Sequence, residues 1–221
     1  MIKNLLRKFI EKRGYIIYKK PVFFDDKNAF DYNSSTNTDK FYISKTNLKK
    51  YLNKSRIAAF GEIIALAKKN IDKNPLKVLD AGCGCGFLTT LIKENFKDAE
   101  VMGIDYSEVG IRYAKEKFNN IVFKQKDLYE ALDCKFDLIF CSSVLEHLKF
   151  PELIITNLTQ ALNHGGKIII TVPNGRIDFF EGHIHFWSPE SWELFLNKTL
   201  PNNSHKLQLL KSKPDILTII S

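Results

Sequence analysis

The stretch Val78-Leu79-Asp80-Ala81-Gly82-Cys83-Gly84-Cys85-Gly86-Phe87 puts three glycines on alternate positions after a strand-like run. Glycine is the costliest residue to order, so this density calls for a close backbone approach or a special turn. Strand, glycine turn, helix is the layout that brings backbone N–H groups and a helix N-terminus up to a ligand. A phosphate-binding P-loop requires Gly-Lys-Ser/Thr at its end, but Gly86 is followed by Phe87. A dinucleotide fingerprint requires its third glycine at position 87, again Phe87. The spacing here is G-x-G-x-G, with Asp80 ending the strand before it. A carboxylate facing the turn suits a cationic amine and repels a bare pyrophosphate.

Further acidic and aromatic residues close the next two strand-like runs. Asp105 is placed to accept from ribose hydroxyls, and such charge-assisted bonds are worth about 1.5–3 kcal/mol each. Tyr106 offers a ring for a base to lie against, and Asp127, before Leu128, can accept from an exocyclic amine. Three histidines stand near later strand ends, His147, His183 and His185. Each is a candidate to take a proton as a neutral imidazole. Cys83, Cys85, Cys134 and Cys141 have neither metal-finger nor C-x-x-C spacing, and the spacing assigns no metal site. They read as reduced thiols, which points to the cytoplasm.

These residues need a scaffold, and the pattern from Pro75 onward supplies one. Strands are expected at 77–80, 101–105, 121–125, 136–142 and 167–172. Helices are expected at 86–96, from Ser107 as N-cap, at 151–163 and from Ser188 as N-cap. Repeated βα units predict a doubly wound, mostly parallel sheet with helices on both faces. Lys206–Ser212 and Ile216–Ser221 are separated by Lys213, Pro214 and Asp215, which is hairpin spacing. Residues 47–70 read as one helix.

The N-terminal part differs. Residues 1–56 hold 14 Lys/Arg and 5 Asp/Glu, so the whole formal charge of +8 comes from this quarter of the 221-residue chain. Ile2, Leu5, Leu6, Phe9 and Ile10 form one face of a short amphipathic helix, with Lys3, Arg7, Lys8 and Lys12 off it. Phe23, Phe24, Phe30, Tyr32, Phe41 and Tyr42 lie in a stretch without a clean period. Residues 1–46 therefore read as a basic helix and lid, and 47–221 as the ligand-binding domain. The charge suits an anionic small molecule or peripheral contact with an anionic membrane surface. No run of about 18 apolar residues spans a membrane, and the oligomeric state is not legible.

A cationic amine, a ribose and an adenine together describe S-adenosylmethionine. The motifs VLDAGCGCG, GIDYS, KDLYE, FDLIFCSSVLEHL and GGKIIITVPN, in this order, resemble the class I S-adenosylmethionine-dependent methyltransferases. The resemblance covers residues 75–173 best and implies a seven-stranded Rossmann-like sheet with one antiparallel strand. It also implies that Asp80, Gly82, Gly84 and Gly86 surround the methionine part, and that Cys141 and Ser142 border its end. Asp105 would hold the ribose, and Tyr106, Asp127 and Leu128 the adenine. Residues 182–196, GHIHFWSPESWELFL, resemble a stretch of bacterial surface-glycan and secondary-metabolite methyltransferases, matching at His183 and departing at His185.

The fold fixes the donor and leaves the acceptor open. The absence of a proline pair after Ser142 counts against methylation of nucleic-acid bases. The leading expectation is O-methylation of a sugar or other small metabolite, phosphorylated or nucleotide-linked, in surface-polysaccharide biosynthesis. Small-amine N-methylation, RNA modification and donor binding without catalysis remain alternatives. Residues 1–46 are expected to cover the acceptor side and face His183, leaving the donor to residues 80–142.

Overall fold

The computed structural model describes residues 32–221. The amphipathic face at Ile2–Ile10, the cations Lys3 to Lys12, and Phe23, Phe24 and Phe30 lie outside the described residues.

Three helices precede the first strand. Helix α1 (Ser35–Ile43) is capped by Ser34, α2 (Lys45–Tyr51) by Ser44, and α3 (Lys54–Asn70) by Asn53. The expected single helix over 47–70 is thus broken at Leu52. The Asn53 side chain accepts from Arg56 N at 3.0 Å, so a residue with strong N-cap preference restarts the helix. Helix α1 occupies a stretch that shows no clean period. It has no buried apolar stripe for a period to reveal, because no residue of it is fully buried.

The alternation that follows is β1 (Lys77–Ala81), α4 (Phe87–Asn95), β2 (Glu100–Asp105), α5 (Glu108–Lys117), β3 (Val122–Gln125), β4 (Phe136–Ser142), a 3₁₀ turn (Leu145–His147), α6 (Pro151–Gln160), β5 (Leu162–Val172), α7 (Pro189–Thr199), β6 (His205–Leu209) and β7 (Ile216–Ile220). The sheet order is β3-β2-β1-β4-β5-β7-β6. Strands β1 to β5 pair in parallel, and β7 is antiparallel to both β5 and β6. This is the expected seven-stranded Rossmann-like sheet with its C-terminal antiparallel hairpin. Strand β5 starts earlier than expected, at Leu162, because Leu162 pairs with Phe136 ahead of a register shift. The residues between, Asn163 to Gly166, have little strand propensity and hide the extension from a sequence reading.

Both faces of the sheet are covered. On β4, Leu138 and Phe140 pack with α3 and α4, while Ile139 and Cys141 pack with α6 and α7. A parallel strand buried on both sides reads as a continuous apolar run, as Phe136–Cys141 does. Trp192 of α7 is fully buried, and its indole N–H donates to Thr218 Oγ1 at 2.7 Å. All four cysteines are free, with Cys134 alone exposed. Among the described residues, no helix is long and apolar enough to cross a membrane.

Candidate active site

The crevice to be expected in such a fold lies at the carboxyl ends of the strands, where the order reverses between β1 and β4. The glycine turn sits there. Gly82, Gly84 and Gly86 all have positive φ, at 78°, 52° and 78°, a region that side chains with a Cβ rarely occupy.

The turn is also crowded, and by the protein itself. A Cβ on Gly82 would overlap Val144 Cγ2, and one on Gly86 would lie 2.8 Å from the Phe123 ring. A Cβ on Gly84 would lie 2.7 Å from the Tyr42 hydroxyl, which comes from α1. The turn directs its amides inward. Gly82 N and Cys83 N both donate to Ile104 O, at 2.8 and 2.9 Å, and Gly86 N donates to Cys83 O at 2.9 Å. Gly84 N donates to Asp105 Oδ2 at 2.8 Å. With these donors already engaged, the turn is not built as a phosphate cradle.

Asp80 and Asp105 are both buried. Thr89 Oγ1 donates to Asp80 Oδ2 at 2.6 Å. Ser107 N donates to Asp105 Oδ1 at 2.9 Å, so Asp105 braces both the turn and the start of α5. Burial pushes the Asp80 carboxyl up to about 7, with Asp105 adding to the rise and Thr89 opposing it. Burial likewise raises Asp105 to about 6, opposed by the Ser107 and Gly84 amides and aided by Asp39. The other titratable groups facing Asp80 are Tyr51, Cys83 and Cys141. Their own pKa values are raised, mainly by burial, and they stay neutral.

These values carry a sign. Both carboxyls hold protons more tightly in the fold than in the unfolded chain, where the usual value is about 3.9. Their ionisation therefore opposes folding, and the stability present below about pH 4 is lost as pH rises from there through the folded values of about 6 and about 7. A cationic amine beside Asp80 would pull that proton off. S-adenosylhomocysteine binding at pH 6.0 is accordingly expected to release a proton, because an α-amino group with a pKa near 7.7–8.0 stays charged there. Titration calorimetry in two buffers of different ionisation heat measures this. Equal apparent heats in the two buffers would remove the amine from beside Asp80.

The residues expected on the adenine side are separated by burial. Tyr106 is 38% exposed, and its hydroxyl meets Thr38 Oγ1 of α1. Asp127 is exposed, and its Oδ1 accepts from Tyr129 N at 2.9 Å. The Leu128 side chain joins the core, so only its backbone is offered to a ligand. The same correction applies to Cys141. Strand alternation turns its side chain into the core, where it is fully buried. Ser142 Oγ bonds to Thr171 Oγ1 at 2.8 Å. Ser143 follows with φ 55°, the sole positive-φ residue besides glycine among the described residues. It turns the chain so that Val144 reaches Gly82.

The histidines divide two against one. His147 and His183 meet edge to face, with ring centroids 4.7 Å apart. His147 Nδ1 lies 3.0 Å from Asn33 Oδ1 and 3.0 Å from Gly182 O. His183 Nδ1 bonds to Asp178 Oδ2. Burial first, and the neighbouring His183 second, lower His147 to about 4, so it is neutral. His185 is elsewhere. Its Nε2 bonds to Leu148 O at 2.9 Å, and its ring stacks on Trp187. Those contacts hold it apart from the His147–His183 pair. Glu146 is fully buried beside the pair, and burial raises its carboxyl to about 8.

Sequence reading misses Tyr42, Asp39, Asn33, Thr89 and Asp178. Asp39 accepts from Ser107 Oγ at 2.5 Å. None of the five stands in a recognisable spacing, since Asp39 and Tyr42 come from α1, Asn33 from just before it, Thr89 from α4 and Asp178 from the loop after β5.

A mostly parallel seven-stranded sheet in the order β3-β2-β1-β4-β5-β7-β6, with a G-x-G-x-G turn after β1 and an acidic residue ending β2, defines a Rossmann-like fold. Residues 72–212 match the family described as Methyltransferase domain. The chain belongs to that family, and its sheet order and glycine turn fit the class I S-adenosylmethionine-dependent methyltransferases.

Among curated relatives, malonyl-acyl-carrier-protein O-methyltransferase of Acetivibrio thermocellus is 32% identical over 117 residues, 52% of this chain and 41% of the relative. Trans-aconitate 2-methyltransferase of Variovorax paradoxus is 33% identical over 102 residues, 45% of this chain and 39% of the relative. The chain thus spans about two fifths of the length of these relatives. Among solved structures, the plantazolicin methyltransferase BamL, in complex with a triazolic desmethylPZN analog and SAH, superposes with a TM-score of 0.64 at 17% identity, covering 86% of this chain and 95% of that one. At that identity the likeness supports the fold alone.

Proposed function

We propose that the chain transfers a methyl group from S-adenosylmethionine to a hydroxyl of a small metabolite. The observation that carries this reading is the cluster of buried Glu146 with half-buried His147 and His183, set against the glycine turn through Val144 on Gly82. A polar cluster with accepting atoms, next to where the donor's methionine end would lie, suits a protic acceptor. Asp80, Gly82, Gly84 and Gly86 would hold the methionine part, Asp105 the ribose, and Tyr106, Asp127 and the Leu128 backbone the adenine.

The reaction is an in-line displacement. The acceptor oxygen forms a bond to the methyl carbon, the carbon–sulfur bond breaks, and S-adenosylhomocysteine leaves with the electron pair on sulfur. The hydroxyl proton leaves to the cluster or to water. The donor is already activated, so positioning, worth about 7–11 kcal/mol, dominates. General-base help adds roughly 10²–10⁴-fold.

The loop after β5 supplies a rim for the acceptor. Ile177, Phe179, Phe180, Ile184 and Phe186 are all more than 40% exposed. Such a rim suits the apolar face of a sugar or another ring. The basic N-terminal residues favour a phosphorylated or nucleotide-linked acceptor. A place in surface-polysaccharide assembly rests on the resemblance of residues 182–196. A second reading, N-methylation of a small amine, is supported by the buried Glu146 carboxylate, which would hold a cation.

An acceptor screen tests the proposal. Nucleotide sugars, sugar phosphates, phenols and small amines are incubated with the donor, and S-adenosylhomocysteine is followed by mass spectrometry. Product is expected with a hydroxyl acceptor. Turnover with amines alone would overturn the O-methylation reading.

A further inference from the structure

Glu146, His147 and His183 each present one ligand atom, and these atoms lie within 4.8 Å of one another. The Glu146 side chain is fully buried, yet neither carboxylate oxygen has a hydrogen-bond partner among the described residues. Buried polar atoms are almost always satisfied, so an orphaned pair of oxygens demands an explanation. His183 Nε2 lies 3.9 Å from Glu146 Oε1, beyond hydrogen-bonding distance.

The imidazoles are oriented in a matching way. Gly182 O can only accept, so His147 Nδ1 carries the proton, which fixes the tautomer and leaves the Nε2 lone pair free. Asp178 does the same for His183 by accepting from Nδ1, which leaves the His183 Nε2 lone pair toward Glu146. A ligating histidine typically donates its other ring N–H to a carboxylate or a backbone carbonyl. Here one histidine does each. The His183 Nε2 lone pair, the unpartnered Glu146 oxygens and the His147 ring thus border one small space.

We infer that Glu146, His147 and His183 form a binding site for a first-row divalent transition-metal cation. Two imidazole nitrogens and one carboxylate leave open positions in the coordination sphere and favour zinc, cobalt, nickel or iron over magnesium or calcium. A centrally placed cation would lie within about 2.8 Å of each ligand atom, against about 2.0–2.2 Å in a loaded site. Closing that gap takes side-chain shifts of about 0.6–0.8 Å. The backbone holding the ligands is fixed: Ile184 N and His185 N both donate to Glu146 O, at 2.7 and 3.1 Å, and clamp the two loops together. Spacing in the sequence shows none of this, because His183 comes from a different loop than Glu146 and His147.

The role of the cation rests on the proposed methyl transfer to oxygen. An acceptor hydroxyl on an open coordination position would be held near the glycine turn and would lose its proton more readily.

The binding test does not depend on that role. The full-length chain is stripped with a chelator and titrated with Co²⁺ and Zn²⁺, and with Mg²⁺ for comparison. Calorimetry and the visible absorbance of Co²⁺ are the readouts. One equivalent of Co²⁺ or Zn²⁺ is expected, bound at least a hundredfold more tightly than Mg²⁺. Glu146→Gln and His183→Ala should each weaken Co²⁺ binding at least tenfold. Asp178→Asn keeps every ligand and should still weaken it about 10–100-fold, as loss of an orienting carboxylate does. His164→Ala, at an exposed histidine, should change nothing. The inference is overturned if the wild-type chain binds no stoichiometric Co²⁺ or Zn²⁺. It is equally overturned if binding survives Glu146→Gln and Asp178→Asn unchanged. Stoichiometric binding in a chain that methylates no hydroxyl would leave the site standing and remove the proposed acceptor.

Discussion

Gly84→Val should weaken S-adenosylhomocysteine binding more than a hundredfold while leaving the chain folded. Two independent constraints meet at this residue. Its φ of 52° is rarely adopted by a residue with a Cβ, and least by a β-branched one. Its Cβ would also stand 2.7 Å from the Tyr42 hydroxyl and 3.2 Å from Tyr42 Cζ. Either the turn shifts, and takes the Gly84 N to Asp105 bond with it, or Tyr42 leaves the site. Both outcomes would disturb the place where the donor is proposed to bind. The strain itself is worth about 1–3 kcal/mol, and for a chain this long that corresponds to a drop in Tm of roughly 2–4 °C per kcal/mol.

A control separates strain from site. Gly165 has φ 75°, and nothing lies within 4 Å of the Cβ it would gain. Gly165→Val should therefore lower Tm comparably and leave donor affinity unchanged. Calorimetry with S-adenosylhomocysteine and thermal unfolding of both variants provide the comparison. Binding by Gly84→Val within threefold of wild type would mean that the glycines serve packing alone.

The fold was legible where physics acts locally. The apolar runs at Val78–Leu79 and Phe136–Cys141, the caps Ser107 and Ser188 and the hairpin spacing at 213–215 follow from periodicity and turn chemistry. The break at Leu52 was signalled only by Asn53, a single capping residue inside a helical pattern. The residues expected on the donor side could be picked out because they follow strand ends in fixed spacing. The cluster around Glu146 was not. Its members are joined by loop geometry, by the left-handed Ser143 that aims Val144, and by Asp178 and Asn33 reaching in from elsewhere. His185 has the same chemistry as His183 and sits two residues away, yet its ring stacks on Trp187. Residue type alone could not separate the two.

Removing residues 1–46 should weaken S-adenosylhomocysteine binding at least tenfold and eliminate turnover. The sequence suggests a lid concerned with the acceptor alone, which would leave donor affinity within threefold. The contacts of α1 argue otherwise. Thr38 meets the Tyr106 hydroxyl, Asp39 accepts from Ser107 Oγ at 2.5 Å, and the Tyr42 ring lies between Gly84 and Gly110. All three contacts fall on the turn and on the end of β2, where the donor's methionine and ribose parts are proposed to sit. The residues just before α1 reach the other side. Asn33 Nδ2 donates to Gly182 O at 3.0 Å, and the Tyr32 ring packs on Phe180 with centroids 5.3 Å apart. One segment thus touches both halves of the crevice, so its closure couples them, as lids that exclude water do. Tyr42→Ala isolates the donor half. It should speed S-adenosylhomocysteine release about tenfold, measured by stopped-flow fluorescence, while Tyr32→Ala should affect turnover with little effect on release. A truncated chain that binds within threefold of the full-length chain would return the donor to residues 80–142 alone. Tighter binding by Tyr42→Ala would mean that its ring competes for the donor's space instead of closing over it.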